Sequence, residues 1–409
     1  MHLLLVNSFY SPHTFGGAER VVESLSQLLV GSGHNVTVVS LNPHSSQSMA
    51  IIKGVKVYYL PLRNIYVPFG MNRPSLVQKA IWHIFDSYNV SMATLFEKIL
   101  CREQPDIVHT HNLAGFSVAI WDTVKRYRLP IVHTIHDHYL LCPRSTMFRE
   151  GRNCASICFD CGLYAWPRRR MTALVDAVTG VSRFILDRHL NYGYFTKSKR
   201  YVVYNGYNAP LGGTPQSRVE QSCSDSNMAL PLRFGYLGRL HPTKGVDQLV
   251  RSFLTLPSGR AELWIAGKGD PGYEAKLKEM AAGRENVRWL GFVSPDELLR
   301  SVDVLVVPSM LHDSAPMVVL EALSNGVPVL GAQRGGIPEL VGEAGWVFDP
   351  EKPGELEAQL QRCLNHPSEV RAMRQRALKR AKQFSLENML AGYLHIYEGL
   401  LKESAHAAA

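Results

Sequence analysis

The feature that most constrains the fold of this chain is a strand–helix–strand stretch between Val302 and Leu330. It begins with a run of β-branched residues that Pro308 closes, which is typical of a buried parallel strand. Pro316 suits the first position of a helix, and Gly326 suits the residue that ends one. The stretch therefore predicts a βαβ unit whose first loop carries Asp313 at the carboxyl end of a strand.

The same alternation of apolar strands and amphipathic helices occurs twice along the chain. A polar segment rich in Gly, Pro and Ser separates the two series. We expect an N-terminal domain over residues 1–206, a linker over 207–231 and a second domain over 232–385. The pattern predicts an α/β fold of two doubly wound, Rossmann-like domains that face a cleft.

The composition and charge of the chain limit the classes of partner that it can be expected to bind. The chain has 409 residues and a net charge of +9, which favours anionic partners such as nucleotides or an acidic membrane surface. No nucleic-acid-binding motif is present, so we expect no nucleic acid partner. The run Met1–Val6 lacks a basic n-region and a cleavage site, which predicts a first strand and not a signal peptide. The seven cysteines are sparse, and no apolar run is long enough to cross a membrane. Together with the start of the chain, these features predict a cytoplasmic protein, either free or peripheral at the inner face of the membrane.

Two carboxylates bracket the start of the helix in the central stretch. Glu321 lies among apolar residues, where a carboxylate is costly without a partner. It either occupies an exposed face of the helix or acts together with Asp313, eight positions earlier. In the second case one carboxylate can bind sugar hydroxyls and the other ribose hydroxyls, with phosphate held at the helix N-terminus.

This stretch resembles the glutamate-x7-glutamate signature of retaining glycosyltransferases of family 4, the group 1 type with a GT-B fold, except that its first acid is Asp313. Gly16-Gly-Ala-Glu-Arg20 resembles the N-terminal glycine loop of that family. Gly238-Arg-Leu-His-Pro-Thr-Lys-Gly245 matches its diphosphate motif. Ile265–Asp270 resembles the loop near the nucleotide, and Leu290–Val293 resembles the base-stacking segment. The resemblance extends over nearly the whole chain.

The resemblance implies roles for individual residues. The residues implied in catalysis are His136, Asp313, Glu321, Arg239 and Lys244. Those implied in donor binding are Gly16, Gly17, Gly238, Arg239, Lys244, Gly267, Phe292, Ala315, Met317, Val318 and Glu321, and the acceptor-side residues are His111 and Asp137. The resemblance also implies that a helix in 386–409 crosses back to the first domain; we expect residues 405–409 to be disordered.

The implied function is transfer of a hexose-like sugar from a nucleoside diphosphate to a hydroxyl of a glycan or lipid-linked acceptor, in cell-surface polysaccharide synthesis. No Asp-x-Asp metal motif is present, and the cations Arg239 and Lys244 can replace a divalent ion, so we expect no catalytic cofactor. Two alternatives remain open: a GT-B sugar-nucleotide epimerase, which needs no acceptor, and a non-catalytic protein that binds sugar nucleotides.

Four cysteines form a separate cluster. Cys142, Cys154, Cys158 and Cys161 fall within twenty residues, and the last pair has Cys-x2-Cys spacing. They suit a structural zinc ion, or they remain thiols or pair in a loop. The histidines of 108–112 and 132–138 follow apolar runs; they either ligate a metal or, as we favour, donate hydrogen bonds at a cleft.

Two segments rich in aromatic residues each allow two interpretations. Residues 61–95 form either a mobile acceptor-side segment or ordinary core, and we favour core. The segment Tyr164–Met171 interleaves aromatic residues with Arg168, Arg169 and Arg170. It suits either an anionic membrane interface or a solvated basic turn.

Overall fold

The computed structural model describes residues 1–13, 16–44, 46–66, 74–209 and 231–408. These residues form two compact units. The first unit comprises Met1–Arg149, Cys154–Asn205 and Leu386–Ala409, and the second comprises Glu150–Asn153 and Gly206–Ser385. Most of the predicted linker, residues 210–230, lies outside the described residues.

The first unit is built on an eight-stranded sheet with the order β10-β9-β6-β5-β1-β2-β4-β3. All neighbouring strands are parallel except β3, which pairs antiparallel with β4 at the edge. The strands are β1 His2–Val6, β2 Asn35–Asn42, β3 Ser48–Ile52, β4 Val55–Pro61, β5 Ile107–Thr110, β6 Ile131–Ile135, β9 Ala177–Gly180 and β10 Lys199–Val202. Two short strands, β7 Phe148–Arg149 and β8 Arg152–Asn153, lie between β6 and β9 in the sequence.

Helices connect the strands of the first sheet. They are α1 Gly17–Gly31, α2 Leu76–Ser87, α3 Val90–Glu103, α4 Ala119–Arg126, α5 Phe159–Met171 and α6 Arg183–Asn191. The last helix of the chain, Leu386–Ala408, also belongs to the first unit. From that helix, the Tyr397 hydroxyl lies 2.6 Å from His109 Nδ1, and the Tyr393 hydroxyl lies 3.0 Å from the Thr134 hydroxyl.

The second unit contains a six-stranded parallel sheet with the order β13-β12-β11-β14-β15-β16. Its strands are β11 Leu232–Leu237, β12 Ala261–Ala266, β13 Val287–Gly291, β14 Val304–Val307, β15 Val329–Ala332 and β16 Gly345–Phe348. Its helices are α7 Val246–Leu254, α8 Pro271–Met280, α9 Pro295–Leu299, α10 Met317–Ser324, α11 Ile337–Val341, α12 Glu355–Asn365 and α13 Pro367–Ala381; the final helix Leu386–Ala408 is α14.

The strand orders define where each sheet can bind a ligand. In the second unit the chain leaves β11 toward one edge and returns at β14 on the other side, so the crevice lies at the carboxyl ends of β11 and β14. The corresponding crevice of the first unit lies at the ends of β1 and β5. The prediction of an α/β fold with two Rossmann-like domains is confirmed.

Three sequence-based expectations need correction. Helix α14 continues to Ala408, so the prediction of a disordered tail is wrong for 405–408; alanine, the strongest helix former, dominates that tail. Strands β3 and β16 were not foreseen. In the segment 61–95, Trp82 is buried, but α2 exposes much of its apolar surface, with Leu76 83% exposed, so the expectation of ordinary core is only partly right. Residues 67–73 of that segment lie outside the described residues.

Among the helices of the described residues, none is long and apolar enough to cross a membrane.

Candidate functional site

The crevice of the second unit is lined by two loops that follow β11 and β14. Lys244, from the loop after β11, forms an ion pair with Asp313, from the loop after β14. The Lys244 Nζ atom lies 2.6 Å from Asp313 Oδ1 and 2.8 Å from Oδ2. The structure therefore brings together two predicted site residues that are 69 positions apart in the sequence.

The backbone around these loops is packed too tightly for a side chain at several glycines, including Gly267 and Gly335. A Cβ atom on Gly267, whose φ is +140°, would lie 1.8 Å from the carbonyl oxygen of Gly238. A Cβ on Gly335 would lie 2.0 Å from the carbonyl oxygen of Asp313. The amide of Gly336 also donates to this oxygen, at 2.7 Å. These contacts hold the ends of β11, β12 and β14 close together.

Arg239 is exposed, and its carbonyl oxygen accepts a hydrogen bond from the Tyr236 hydroxyl at 2.8 Å. This bond anchors the backbone of the loop while leaving the guanidinium at the surface. Phe292, which follows β13, is 82% exposed, so its ring is available to a planar ligand. Both residues lie at carboxyl ends of strands in this sheet, the edge where α/β folds bind ligands.

Helix α10 begins directly after the Asp313 loop. Ala315, Met317 and Val318 are partly exposed at its start, where first-turn amide groups of a helix can bind an anion. Glu321 is 1% exposed, which excludes the reading that it lies on a solvated face. A carboxylate in such a position is costly unless it is hydrogen-bonded.

The crevice of the first unit carries the predicted catalytic residue His136 and the predicted acceptor-side residues His111 and Asp137. His111 follows β5, and His136 and Asp137 follow β6. The Nδ1 atom of His111 lies 2.9 Å from Nε2 of His136, so one ring donates and the other accepts. Asp137 Oδ1 accepts a hydrogen bond from the amide of Tyr139 at 2.7 Å. Gly16 and Gly17 are exposed at the start of α1.

Sequence reasoning missed Glu19 as a member of this group. Its side chain is buried in the first turn of α1, and its Oε2 atom has no hydrogen-bond partner within the described residues. Burial raises the pKa of Glu19, and the charge of Glu19 contributes to the raised pKa of Asp137, so the two carboxyl groups influence each other. The sequence could have indicated this residue, because Glu19 is the acidic residue of the motif Gly16-Gly-Ala-Glu-Arg20.

Burial determines the protonation states of the histidines and the carboxyl group in this crevice. It lowers the pKa of His136 to about 4 and that of His111 well below its ordinary value, so both rings are neutral at pH 7. Burial also raises the pKa of Asp137 to about 6. Two neutral imidazoles and a carboxylate can exchange hydrogen bonds with sugar hydroxyls.

We expect the free energy of unfolding of the first unit to fall as the pH decreases from about 6.5 toward about 4. The histidines whose pKa values are lowered by desolvation bind fewer protons when folded than when unfolded; they are His109, His111, His133, His136 and His189. Each adds to this decrease in stability, whereas the raised pKa of Asp137 acts in the opposite direction. Urea unfolding followed at several pH values measures this slope, and a flat profile between these limits would contradict it.

The four clustered cysteines come together in the first unit. The Sγ atoms of Cys154 and Cys158 are 3.9 Å apart, and those of Cys142 and Cys161 are 3.8 Å apart. Burial and the neighbouring Cys142 raise the pKa of the Cys161 thiol. All four thiols are free in this structure.

Arg168 does not belong to the basic surface that the sequence predicted. Its side chain is fully buried, and its Nη2 atom lies 3.0 Å from Oδ2 of Asp86, which is also fully buried. Asp86 also accepts hydrogen bonds from the Gly115 amide at 2.6 Å and from the Tyr139 hydroxyl at 2.7 Å. Arg169 and Arg170 remain exposed.

Comparisons with known proteins agree with this architecture. A family model described as Glycosyltransferase Family 4 matches residues 15–209, and one described as Glycosyl transferases group 1 matches residues 231–366. An uncharacterised 42.6 kDa protein in the cps region of Klebsiella pneumoniae is 34% identical over 340 residues, which cover 83% of this chain and 87% of that protein. The chain belongs to the group 1, family 4 type of glycosyltransferases, and it is a glycosyltransferase.

The chain is also similar to a curated mannosyltransferase and to a solved structure. The O-antigen chain mannosyltransferase B of Escherichia coli is 31% identical over 172 residues, which cover 40% of this chain and 45% of that protein. The structure of Anabaena Alr3699/HepE in complex with UDP matches with a TM-score of 0.69 at 18% identity, covering 98% of this chain and 100% of that one. This structural likeness supports the GT-B fold.

Proposed function

We propose that this protein is a retaining glycosyltransferase that transfers a hexose-like sugar from a nucleoside diphosphate to a hydroxyl of a glycan or lipid-linked acceptor. The observation that carries the proposal is the crevice of the second unit, where Lys244, Asp313 and helix α10 with Glu321 meet at the strand switch point. The relationship to an O-antigen mannosyltransferase supports a place in cell-surface polysaccharide synthesis.

The donor is a nucleoside-diphosphate sugar. Arg239 and Lys244 supply two positive charges at the carboxyl end of β11, and the N-terminus of α10 adds amide donors. Such groups neutralise the diphosphate as the sugar–phosphate bond breaks. The UDP complex of the similar Anabaena protein supports a nucleotide ligand of this kind. Without donor, Asp313 holds the Lys244 ammonium in place; with donor, the diphosphate competes for that ammonium.

The acceptor hydroxyl attacks on the face of the sugar that the diphosphate leaves, which retains the anomeric configuration. His111, His136 and Asp137 are proposed to orient the acceptor and donor sugar through hydrogen bonds. The leaving phosphate oxygen takes the proton of the acceptor hydroxyl, so the mechanism needs neither a protein nucleophile nor a protein base. NMR of the product tests this stereochemistry: an axial donor linkage should give an axial product linkage, and inversion would overturn the retaining mechanism.

We expect Arg239→Ala and Lys244→Ala each to lower kcat/KM about a hundred- to a thousandfold, as loss of a charge-stabilising group does in other enzymes. The change in folding stability should be small, because Arg239 is exposed and the Lys244 side chain is 31% exposed. Lys276→Ala, an exposed lysine of α8, is the matched control and should retain full activity.

The same assay tests metal independence. With Arg239 and Lys244 acting on the diphosphate, transfer should proceed in buffer without added magnesium or manganese. An absolute requirement for either ion, or unchanged activity in both variants, would contradict the assignment.

A lipid-linked acceptor requires contact with a membrane, and two helices of the first unit offer an apolar surface for it. Helices α2 and α5 pack against each other, with the rings of His83 and Tyr164 5.7 Å apart. On α5, Phe159 is 96% exposed, and Leu163 and Trp166 continue the same helical face. The exposed Arg170 follows one turn later, with its guanidinium 5.1 Å from the centre of the Trp166 ring. An apolar stripe ending in a cation is suited to an anionic lipid surface.

We expect the protein to bind vesicles that contain an anionic lipid more tightly than neutral phosphatidylcholine vesicles. Replacing Phe159, Leu163 and Trp166 with serine should weaken this binding at least about tenfold, because each removes apolar area from the interface. The control replaces Met49 and Ile51, exposed apolar residues of β3, with serine and should bind as the unchanged protein does. Co-sedimentation measures both, and equal binding by the two variants would exclude this surface.

A further inference from the structure

We propose that Cys142, Cys154, Cys158 and Cys161 bind one structural zinc ion in the first unit. Two Sγ–Sγ distances are 3.9 Å and 3.8 Å, and the Sγ atoms of Cys158 and Cys161 lie within 4.8 Å of each other. In a tetrahedral zinc site with Zn–S bonds of about 2.3 Å, sulfur atoms are separated by about 3.8 Å. The separations of 3.9 Å and 3.8 Å match two edges of such a tetrahedron.

The local fold presents the four thiols from three separate elements. Cys142 closes a turn in which its amide donates to the His138 carbonyl at 2.8 Å. Cys154 follows β8, and its amide donates to the Met147 carbonyl at 2.7 Å. Cys158 is the N-cap of α5, and Cys161 lies in the first turn of that helix.

The segment from Cys142 to Cys161 buries few of its side chains. Within it only Cys142 and Met147 are buried, and its strands are two residues long. Ser145 and Met147 both adopt positive φ angles, of 58° and 47°, which are unfavourable for residues with side chains. Segments that cannot build an apolar core are commonly stabilised by a metal or by disulfides.

Disulfides fit this geometry less well than zinc. A disulfide has an S–S length of about 2.05 Å, much shorter than either observed separation. Two disulfides would also divide the cluster into independent pairs, whereas Cys158 and Cys161 belong to different pairs and lie close to each other. Asp160 is also near these two cysteines, but its carboxylate is exposed and lies 3.4 Å from Arg149. We therefore assign the four ligands to the thiolates, which leave no open position for catalysis.

The test measures zinc in the full chain, expressed with added zinc and purified under reducing conditions without a metal-affinity column. Elemental analysis should give about one zinc per chain. Titration of the native protein with an organomercurial reagent, in the presence of a coloured zinc chelator, should release zinc as cluster thiols react. Cobalt substituted for zinc should give the visible bands of tetrahedral cobalt and thiolate-to-cobalt charge transfer.

Variants separate the cluster from other thiols and from Asp160. Cys158→Ser should lower bound zinc at least about tenfold, because three thiolates hold the ion much less tightly. Cys101→Ser, at an exposed cysteine outside the cluster, and Asp160→Asn should keep about one zinc per chain. The cobalt spectrum of the unchanged protein gives the ligand set even if Cys158→Ser does not fold.

Three results would overturn the proposal: zinc well below stoichiometric with four alkylatable thiols in the native protein, disulfides found within the cluster by mass spectrometry, or normal zinc content in Cys158→Ser. None of them depends on glycosyl transfer, so the zinc assignment and the proposed function fail separately. If zinc is bound, its removal should increase amide hydrogen exchange between Cys142 and Cys161 while both sheets stay protected.

Discussion

Glu321→Gln is expected to lower the rate of sugar transfer at least about a thousandfold and to weaken donor binding. The glutamine keeps the size of the side chain but replaces a carboxylate that is 1% exposed in helix α10. We propose that this carboxylate accepts hydrogen bonds from donor hydroxyls at the start of the crevice. A buried acceptor that loses its charge binds hydroxyl donors less strongly.

The measurement is kcat/KM for transfer, together with thermal unfolding to show that the variant is folded. Glu343→Gln, at an exposed carboxylate of the same unit, is the matched control and should have normal activity. Normal turnover in a folded Glu321→Gln protein would remove Glu321 from the proposed site. Loss of activity accompanied by unfolding would be resolved by Glu321→Asp, which keeps the charge and should recover part of the activity.

Arg168→Met is expected to lower the free energy of unfolding of the first unit by about 3–5 kcal/mol. The substitution leaves Asp86 fully buried without its only ion-pair partner in the described residues. Burial raises the pKa of Asp86, whereas Arg168, the Tyr139 hydroxyl and the Gly115 amide lower it. Arg168 also donates to the Tyr139 carbonyl at 2.5 Å and lies over the Tyr139 ring, so its loss removes packing as well as charge.

The matched control is Arg170→Met in the same helix. Arg170 is exposed, so the expected change is within about 0.5 kcal/mol. Combining Arg168→Met with Asp86→Asn should recover part of the loss, because the uncompensated charge is then absent. Urea unfolding of the three variants measures these differences. Equal stability of Arg168→Met and Arg170→Met would show that the buried ion pair contributes little.

The fold was largely predictable because parallel strands buried on both faces are continuous apolar runs. The stretch from Val302 to Leu330 contains such runs at both ends, and Pro308, Pro316 and Gly326 separate its elements. Strand β3 escaped detection because it is an edge strand, paired on only one side, and much of its apolar run is exposed. Strand β16 is only four residues long and is enclosed between glycine and proline residues that resemble a loop.

The positions of single side chains were less predictable, since they depend on partners distant in the sequence. Nothing in the sequence distinguishes the three consecutive arginines, yet only Arg168 is buried. Its partner is Asp86, which lies beside it in the fold although it is 82 positions earlier in the sequence. The Lys244–Asp313 pair likewise depends on the neighbouring positions of β11 and β14 in the sheet. Helix α2 was hard to place because its exposed apolar face has the composition of a core helix.

The most direct test of the proposed function is acceptor-dependent release of nucleoside diphosphate. Thermal stabilisation by UDP-, GDP- and ADP-sugars first selects the donor, and the assay then adds lipid-linked glycan acceptors. We expect that nucleoside diphosphate is released only with acceptor, that the sugar is found on an acceptor hydroxyl, and that Glu321→Gln releases none. Conversion of the donor to an epimer without acceptor, or tight donor binding with no release under any acceptor, would contradict a glycosyltransferase acting through this site.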